Sequence, residues 1–191
     1  MTSLFDELIA KKYSEYNKIL TSDEFKQVIN KLYQLIYNTI KNGGKIMVCG
    51  NGGSAADSLH IVSEFIGRLN KNRTALPAIS LCSDISTLTG LGNDFSYNNI
   101  FNRQIEALGN SRDLLVALST SGNSKNICNA LEIANIYSIK TCVITNQIGG
   151  QASKLSEFVL KIPSTNTQTV QEMTILIFHL VCEMLELKYY E

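Results

Sequence analysis

The sequence predicts an α/β protein in which a parallel sheet is covered by helices on both faces. After residue 42, short runs rich in Ile, Val and Leu alternate with segments of helical periodicity, as in parallel sheets. A glycine-rich turn joins the first of these runs directly to a helix. Hydrophobic residues make up 45% of the 191 residues and charged residues 18%, which is typical of a globular domain. We therefore expect one domain over 1–191, with a helical N-terminal extension over about 1–42.

Two amphipathic helices are predicted at the N-terminus, over 3–20 and 22–42. Ser22 is a suitable N-cap for the second helix, and Gly43-Gly44 is a suitable stop. Apolar residues recur at helical spacing in this second helix: Val28, Leu32, Leu35, Ile36 and Ile40.

The remaining elements follow from the change to short apolar runs. The predicted strands cover 45–50, 77–83, 113–119, 140–145 and 157–162. The predicted helices cover 54–67, 98–108, 123–137 and 168–188. Ile, Val and Leu fill nearly the whole circumference of the last helix, which predicts burial on all sides. In a chain of this size another subunit is the expected cover, so a homo-oligomer is predicted.

Composition disfavours several classes of protein. The formal net charge is zero and no run of Lys or Arg stands out, which disfavours nucleic-acid binding. No signal peptide is apparent, and no apolar stretch reaches the roughly 20 residues of a membrane span. The five cysteines are widely spaced and form no C-x-x-C pair, which favours buried thiols over disulfides or a thiolate zinc site. We therefore expect a soluble, cytoplasmic protein.

Two loops have the chemistry to hold a phosphate. The first strand enters the helix through 50–56, a glycine-rich turn, and the third strand ends in 118–124, which contains four hydroxyl residues and a glycine. In open α/β sheets ligands bind at the carboxyl ends of strands. Gly50-x-Gly52-x-x-Ala55 also matches a dinucleotide fingerprint, but Asp84, the nearest acid at a strand end, comes later than the roughly 20 residues expected. Helix capping alone is the other alternative.

The two histidines are candidates for acid–base work. His60 and Glu64 are spaced i, i+4 and project from one helix face near the glycine loop, although an exposed surface pair is equally consistent. His179 lies in an apolar run, where a buried histidine bonded to one carbonyl is the simpler interpretation. Gln171 and His179 are about 12 Å apart along one helix axis, too far for one small site. If both are functional, we expect a site shared with a neighbouring subunit, with Glu64 and His179 from different protomers.

Five segments carry a common pattern: Val48-Cys-Gly-Asn-Gly-Gly-Ser-Ala-Ala-Asp57, His60-x-x-x-Glu64-x-x-Gly-Arg68, Gly92-Asn-Asp94, Ser119-Thr-Ser-Gly-Asn-Ser124, and Gln171-Glu172 with His179. Taken together, these segments resemble the phosphoheptose isomerase family of sugar-isomerase-domain (SIS) enzymes over essentially the whole chain. The resemblance implies a three-layer, flavodoxin-like sandwich with a five-stranded parallel sheet, and a homotetramer with sites at subunit interfaces. It also implies conversion of sedoheptulose 7-phosphate to D-glycero-D-manno-heptose 7-phosphate, for activated heptose of lipopolysaccharide or capsule.

The resemblance further implies roles for individual residues. Glu64 and His179 are the expected catalytic base and acid of an enediol route. One zinc ion per subunit is expected on His60, Glu64, Gln171 and His179. The expected substrate contacts are Asn51, Gly52, Gly53, Ser54, Glu64, Asn93, Asp94, Ser119, Thr120, Ser121, Ser124 and Gln171. Because Glu64 cannot bind zinc tightly and act as a free base at once, it either leaves the metal during turnover or the metal stabilises the resting site.

The sequence departs from the family pattern just before the last helix, and two other functions stay open. Thr169 and Thr174 stand where the family often has Arg and His. Some relatives of the family are non-catalytic regulators that associate with the replication initiator, but they lack the acid–base residues present here. Isomerisation of a different sugar phosphate is the other alternative, because no residue visibly measures the length of the sugar chain.

Overall fold

The computed structural model describes residues 3–189, which form a three-layer α/β fold. The strands are β1 (Ile46–Gly50), β2 (Ala78–Ser80), β3 (Leu114–Leu118), β4 (Lys140–Asn146) and β5 (Phe158–Ile162). The helices are α1 (Leu4–Thr21), α2 (Asp23–Lys41), α3 (Gly53–Ile66), α4 (Ile85–Asp94), α5 (Asn102–Leu108), α6 (Lys125–Ile136), α7 (Ala152–Leu155) and α8 (Thr167–Tyr189), with a 3₁₀ turn at Tyr97–Asn99.

All strands are parallel and lie in the order β2-β1-β3-β4-β5. The chain leaves β1 toward one edge to form β2 and then returns to the other side of β1 to form β3. The carboxyl ends of the central strands are level, since Gly50 pairs with Leu118 and Leu118 pairs with Ile144. This change of direction opens a crevice between the ends of β1 and β3, which is where open α/β sheets bind ligands.

Alternate residues of each central strand enter opposite cores. In β1, Ile46 and Val48 join a core with residues of α2, α3 and α8, whereas Met47 and Cys49 join a core with residues of α5, α6 and α7. Strands buried on both faces require helices on both sides, so the fold class predicted from the apolar runs is confirmed. All five cysteines are buried in these two cores, as predicted.

The observed elements agree with the sequence prediction in most places and differ in four. Ser22 caps α2 by accepting a hydrogen bond from the N–H of Phe25 (3.3 Å). The second strand stops at Ser80 because the hydroxyl of Ser80 accepts the N–H of Cys82 and turns the chain. The helix predicted over 98–108 is split into the 3₁₀ turn and α5. Two helices were not predicted: α4, whose glycines and threonines hide an apolar stripe, and the four-residue α7.

The homo-oligomer stays a prediction, and another subunit is not needed to cover most of α8. Its apolar residues pack in the core formed with α2, α3 and the sheet of the same chain. Only Leu180 and Leu187 stand out as exposed large hydrophobic residues on this helix, in the part of the chain described. Among residues 3–189, no helix combines the length and apolarity that a membrane crossing requires.

Candidate active and metal site

The loop between β1 and α3 places its own backbone close to the crevice between the ends of β1 and β3. A side chain at Gly50 would meet the backbone of Ser54, with a Cβ only 2.4 Å from the carbonyl oxygen. Gly52 has φ +55°, which L side chains rarely adopt, and it accepts the N–H of Ala55 at 3.0 Å. The turn therefore delivers the N-terminus of α3, with its favourable dipole for anions, to the end of β1.

The loop between β3 and α6 places hydroxyl groups on the other side of the crevice. Ser119 is buried, and its Oγ has no hydrogen-bond partner within residues 3–189. A buried hydroxyl without a partner is costly, so a ligand oxygen or water is the expected complement. Ser121 is exposed, and its Oγ accepts the N–H of Asn123 at 3.1 Å.

A pair of amides joins the two loops. Asn51 and Asn126 exchange hydrogen bonds at 2.8 Å in both directions, and the hydroxyl of Tyr97 also donates to Asn51 Oδ1 at 2.8 Å. The side chain of Asn51 is therefore engaged with the protein in this conformation. Sequence reasoning missed Asn126 and Tyr97, because nothing local connects residues this far apart in the chain. The one available signal was a buried amide at the start of α6, which requires a partner.

His60, Glu64 and His179 come together within one chain. His60 Nε2 lies 3.4 Å from Glu64 Oε1 and 3.3 Å from His179 Nε2, and the two imidazole rings meet edge to face with centroids 5.0 Å apart. The expectation that Glu64 and His179 come from different protomers is therefore not needed to bring these two side chains together. The simpler interpretation of His179, a core histidine bonded to one carbonyl, is wrong, because its Nε2 faces His60.

The donor set fits a metal ion. One ligand atom from each of the three residues lies within 4.8 Å of the others. A tetrahedral ion with bonds of about 2.0–2.1 Å separates its ligand atoms by about 3.3 Å. The spacings of 3.3 and 3.4 Å around His60 Nε2 match that edge. Imidazole and carboxylate are also the ligands that zinc accepts in catalytic sites.

Parallel packing of α3 and α8 explains this assembly. Gln171 lies against the first residue of α3, because a Cβ on Gly53 would be 2.4 Å from Gln171 Nε2. His179 meets His60 about two turns further along both helices. Gln171 and His179 thus lie about two turns apart along one helix interface, in accord with the axial separation calculated from the sequence. Gln171 as a metal ligand stays a prediction.

Comparison with known proteins identifies the family. The SIS domain model matches residues 13–146. The phosphoheptose isomerase of Akkermansia muciniphila is 45% identical over 93% of this chain and 98% of its own length.

The chain belongs to the phosphoheptose isomerase family.

Solved structures of this family have the same fold. The phosphoheptose isomerase from Francisella tularensis superposes with a TM-score of 0.88 at 33% identity, covering 96% of this chain and 98% of that one. The enzyme from Neisseria gonorrhoeae superposes with a TM-score of 0.84 at 32% identity, covering 96% and 99%. The family resemblance inferred from the motifs is therefore confirmed.

The two threonines that depart from the phosphoheptose isomerase pattern have defined local roles. Thr169 is fully buried and donates to Glu15 of α1 at 3.1 Å. Thr174 is buried and donates to the carbonyl of Val170, one turn earlier in α8, at 2.7 Å. Both hydroxyls are thus satisfied inside the chain, and Thr169 ties the start of α8 to the N-terminal helix.

Two further predicted residues of the phosphoheptose isomerase site lie at the end of a helix. Asn93 and Asp94 are exposed near the end of α4, where Asn93 Nδ2 donates to Asp94 Oδ1 at 2.8 Å. Sequence reasoning gave no role to Asp57, which lies on α3 between the glycine loop and His60. Burial raises the pKa of the Asp57 carboxyl above its ordinary value, and His60 opposes that shift.

Proposed function

We propose that this chain interconverts sedoheptulose 7-phosphate and D-glycero-D-manno-heptose 7-phosphate. The product would supply activated heptose for lipopolysaccharide or capsule. The observation that carries the proposal is the convergence of Glu64, His60 and His179 within one chain of this family. Regulatory relatives lack these acid–base groups, so the convergence also favours an enzyme over a non-catalytic binding protein.

The two loops are proposed to hold the phosphate, and neighbouring polar residues the sugar. The buried hydroxyl of Ser119, which has no hydrogen-bond partner among residues 3–189, and the start of α3 support an anion site without lysine or arginine. The proposed phosphate contacts are Asn51, Gly52, Gly53, Ser54, Ser119, Thr120, Ser121 and Ser124. The proposed sugar contacts are Glu64, Asn93, Asp94 and Gln171.

Two side chains suffice for the proton transfers. Glu64 removes a proton from C1 of the ketose while His179 donates one to the oxygen on C2, which gives an enediol. Glu64 then returns its proton to C2, and His179 takes the proton from the oxygen on C1, which gives the aldose. Both groups thereby regain their starting states.

We further propose that the metal is zinc, one ion per subunit, held by His60, Glu64 and His179 of one chain, with Gln171 of a neighbouring subunit as the fourth ligand. When bound there, the ion supplies Lewis-acid polarisation of the substrate carbonyl. Glu64 would then have to leave the metal to act as base, unless the ion serves the resting site. We also propose a homotetramer with shared sites, and a cytoplasmic location, which suits a chain whose five cysteines are free thiols.

Incubation of the purified protein with sedoheptulose 7-phosphate, followed by proton NMR, tests the proposal. We expect an aldose signal from the wild type, its loss in Glu64→Gln and His179→Gln, and a fall on treatment with a chelator that zinc reverses. Removing an essential acid or base costs about 10²–10⁴-fold in rate. Glu132→Gln, which changes an exposed glutamate of α6, is the matched control and should retain activity.

The same assay can reject the proposal. Turnover near the wild-type rate in Glu64→Gln or His179→Gln would overturn the assignment of the acid and the base. A wild-type protein that does not convert sedoheptulose 7-phosphate but isomerises a shorter sugar phosphate would establish the alternative substrate. Absence of any isomerase activity, with capture of a replication-initiator partner, would establish the regulatory alternative.

A further inference from the structure

A buried carboxylate on α8, that of Glu186, binds the backbone of the segment that follows α3. Glu186 is 1% exposed. Its carboxylate oxygens accept the backbone N–H groups of Leu69 at 2.6 Å, Asn70 at 2.9 Å and Lys71 at 3.0 Å. Three successive backbone donors on one side chain fix the path of the chain after α3 relative to α8.

A buried arginine completes the same arrangement from the other side. The side chain of Arg73 is fully buried, with Nε 3.6 Å from Glu186 Oε1. Its Nη2 donates to the backbone carbonyl of Glu64 at 2.6 Å, and its Nη1 donates to the carbonyl of Phe65 at 2.9 Å. These carbonyls belong to the last turn of α3, where they have no partner within the helix and where a cation is favoured by the dipole.

Stability alone is a weak reason to bury this pair. Taking two charges out of water costs several kcal/mol per ion, and apolar residues of similar volume often stabilise a protein as well or better. What the pair supplies is geometry, because a planar guanidinium with fixed donors holds two carbonyls at defined directions. The held carbonyls include that of Glu64 itself.

Glu186 lies on the same helix as His179. Glu186 follows His179 by seven residues on α8, nearly two turns, so both side chains project from nearly the same face toward α3. The Arg73–Glu186 pair therefore joins α8 to the end of α3 that carries Glu64, about two helical turns beyond His179 along α8. A shift of one helix relative to the other at this junction changes the 3.3 Å spacing between His60 on α3 and His179 on α8.

We propose that Arg73 and Glu186 are positioning residues that hold His60, Glu64 and His179 in register for metal binding and proton transfer. They touch neither the ion nor the substrate and act through the ends of α3 and α8. The part of the inference that concerns turnover rests on the proposed function, but the part that concerns metal affinity does not.

Metal affinity of the full-length protein is the direct test. Zn²⁺ is removed by dialysis against a chelator, and Zn²⁺ and Co²⁺ affinities are then measured by competition with a chromophoric chelator. Glu186→Gln places an amide donor against backbone N–H groups, and Arg73→Lys keeps the charge but cannot hold the carbonyls of Glu64 and Phe65 together. We expect about 10–100-fold weaker metal binding in each variant, as for other supporting partners of metal ligands.

Asp113→Asn is the matched control. It breaks the ion pair of Asp113 with Lys45, whose Nζ lies 2.5 Å from Asp113 Oδ2 next to the amino ends of β1 and β3. Because Asp113 contacts Lys45 and Asn110 and none of the residues of the cluster, its loss should lower the free energy of unfolding without changing metal affinity. In the isomerase assay, Arg73→Lys should lower kcat while leaving KM within about twofold, since phosphate binding is untouched.

Several outcomes overturn the proposal. Metal affinity within twofold of the wild type in both folded variants would do so, as would an equal loss in Asp113→Asn. If Glu186→Gln does not fold, Arg73→Lys decides, and failure of both to fold shows a purely structural role. A wild-type protein that binds neither Zn²⁺ nor Co²⁺ also contradicts it. Normal metal binding without isomerase activity would reject the proposed function and leave the positioning role intact.

Discussion

The charged carboxylate of Asp57, next to the candidate site, lowers the stability of the folded protein. One carboxylate oxygen is buried and has no hydrogen-bond partner within residues 3–189. Burial disfavours the charged form and raises the pKa of Asp57, and attraction to His60 offsets this only in part. Since the folded pKa lies above the unfolded value, folding favours the protonated form. The stability contribution of Asp57 is therefore present at low pH and is lost as the pH rises through the folded pKa.

Asp57→Asn should accordingly stabilise the metal-free protein at pH 7. The gain should shrink as the pH falls below the unfolded aspartate pKa of about 3.9, where wild-type Asp57 is neutral in both states. Urea unfolding at pH 7 and below pH 4 measures this difference. Asp84→Asn is a control of opposite sign, because hydrogen bonds from Thr87 lower the pKa of Asp84. A destabilised Asp57→Asn variant at pH 7 would contradict the interpretation.

Among the elements, the loop after β3 is fixed by contact with a second loop. Gly122 has φ +68°, and its carbonyl accepts the N–H of Ala152 at 2.8 Å. Its Cα faces the backbone of Gly149 so closely that an added Cβ would lie 2.0 Å from the Gly149 oxygen. Asn123 Oδ1 accepts the N–H of Gln151 at 3.0 Å and reinforces the contact. The hydroxyl groups of the candidate phosphate site thus depend on chain more than 20 residues later.

Gly122→Ala should therefore cost about 2–4 kcal/mol of stability, since neither backbone can yield and the residue must keep a positive φ. Gly90→Ala is the matched control in α4, where an added Cβ meets nothing within 4 Å and φ is not positive. That substitution should stabilise by about 0.5–1 kcal/mol, because alanine favours the helix. Guanidinium unfolding measures both, and a neutral Gly122→Ala would show that the two loops separate easily.

On the scale of the whole molecule, α1 presents an apolar surface to solvent. Leu4, Phe5 and Tyr13 are 73%, 69% and 72% exposed, and Leu8 and Ile9 are also exposed. Exposed apolar patches of this kind typically mark interaction sites. The other edge of the helix is fixed by polar contacts, including the hydrogen bond of Tyr16 to Glu172. This surface, rather than α8, is the support that the chain offers for a homo-oligomer.

Light scattering should give a mass four times that of one chain. Phe5→Glu should lower that mass, because a charge on the apolar surface must be desolvated when subunits associate. Ile136→Glu, at a similarly exposed residue of α6, should not. A monomeric wild type, or an equal effect of the two substitutions, would contradict a tetramer that uses α1.

Local patterns were enough to predict the fold and part of the site. The apolar runs of buried strands and the spacing of apolar residues in helices are visible within short stretches of sequence. The five strands and the long helices could therefore be located to within about two residues at most boundaries. The glycine and hydroxyl loops could also be found, because their chemistry lies within a few consecutive residues. The helix α4 was missed because serine, threonine and glycine, which are weak helix formers, separate its apolar residues.

The sequence by itself determined the α/β class, the two loops at the strand ends and the family. Only the tertiary structure decided that His60, Glu64 and His179 meet in one chain, that Asn51 is held by Asn126, and that Glu186 and Arg73 lock α3 to α8. Each of these contacts joins residues that lie far apart in the chain, beyond any local periodicity. Their geometry depends on how α3 and α8 pack on the sheet, which is a property of the folded core.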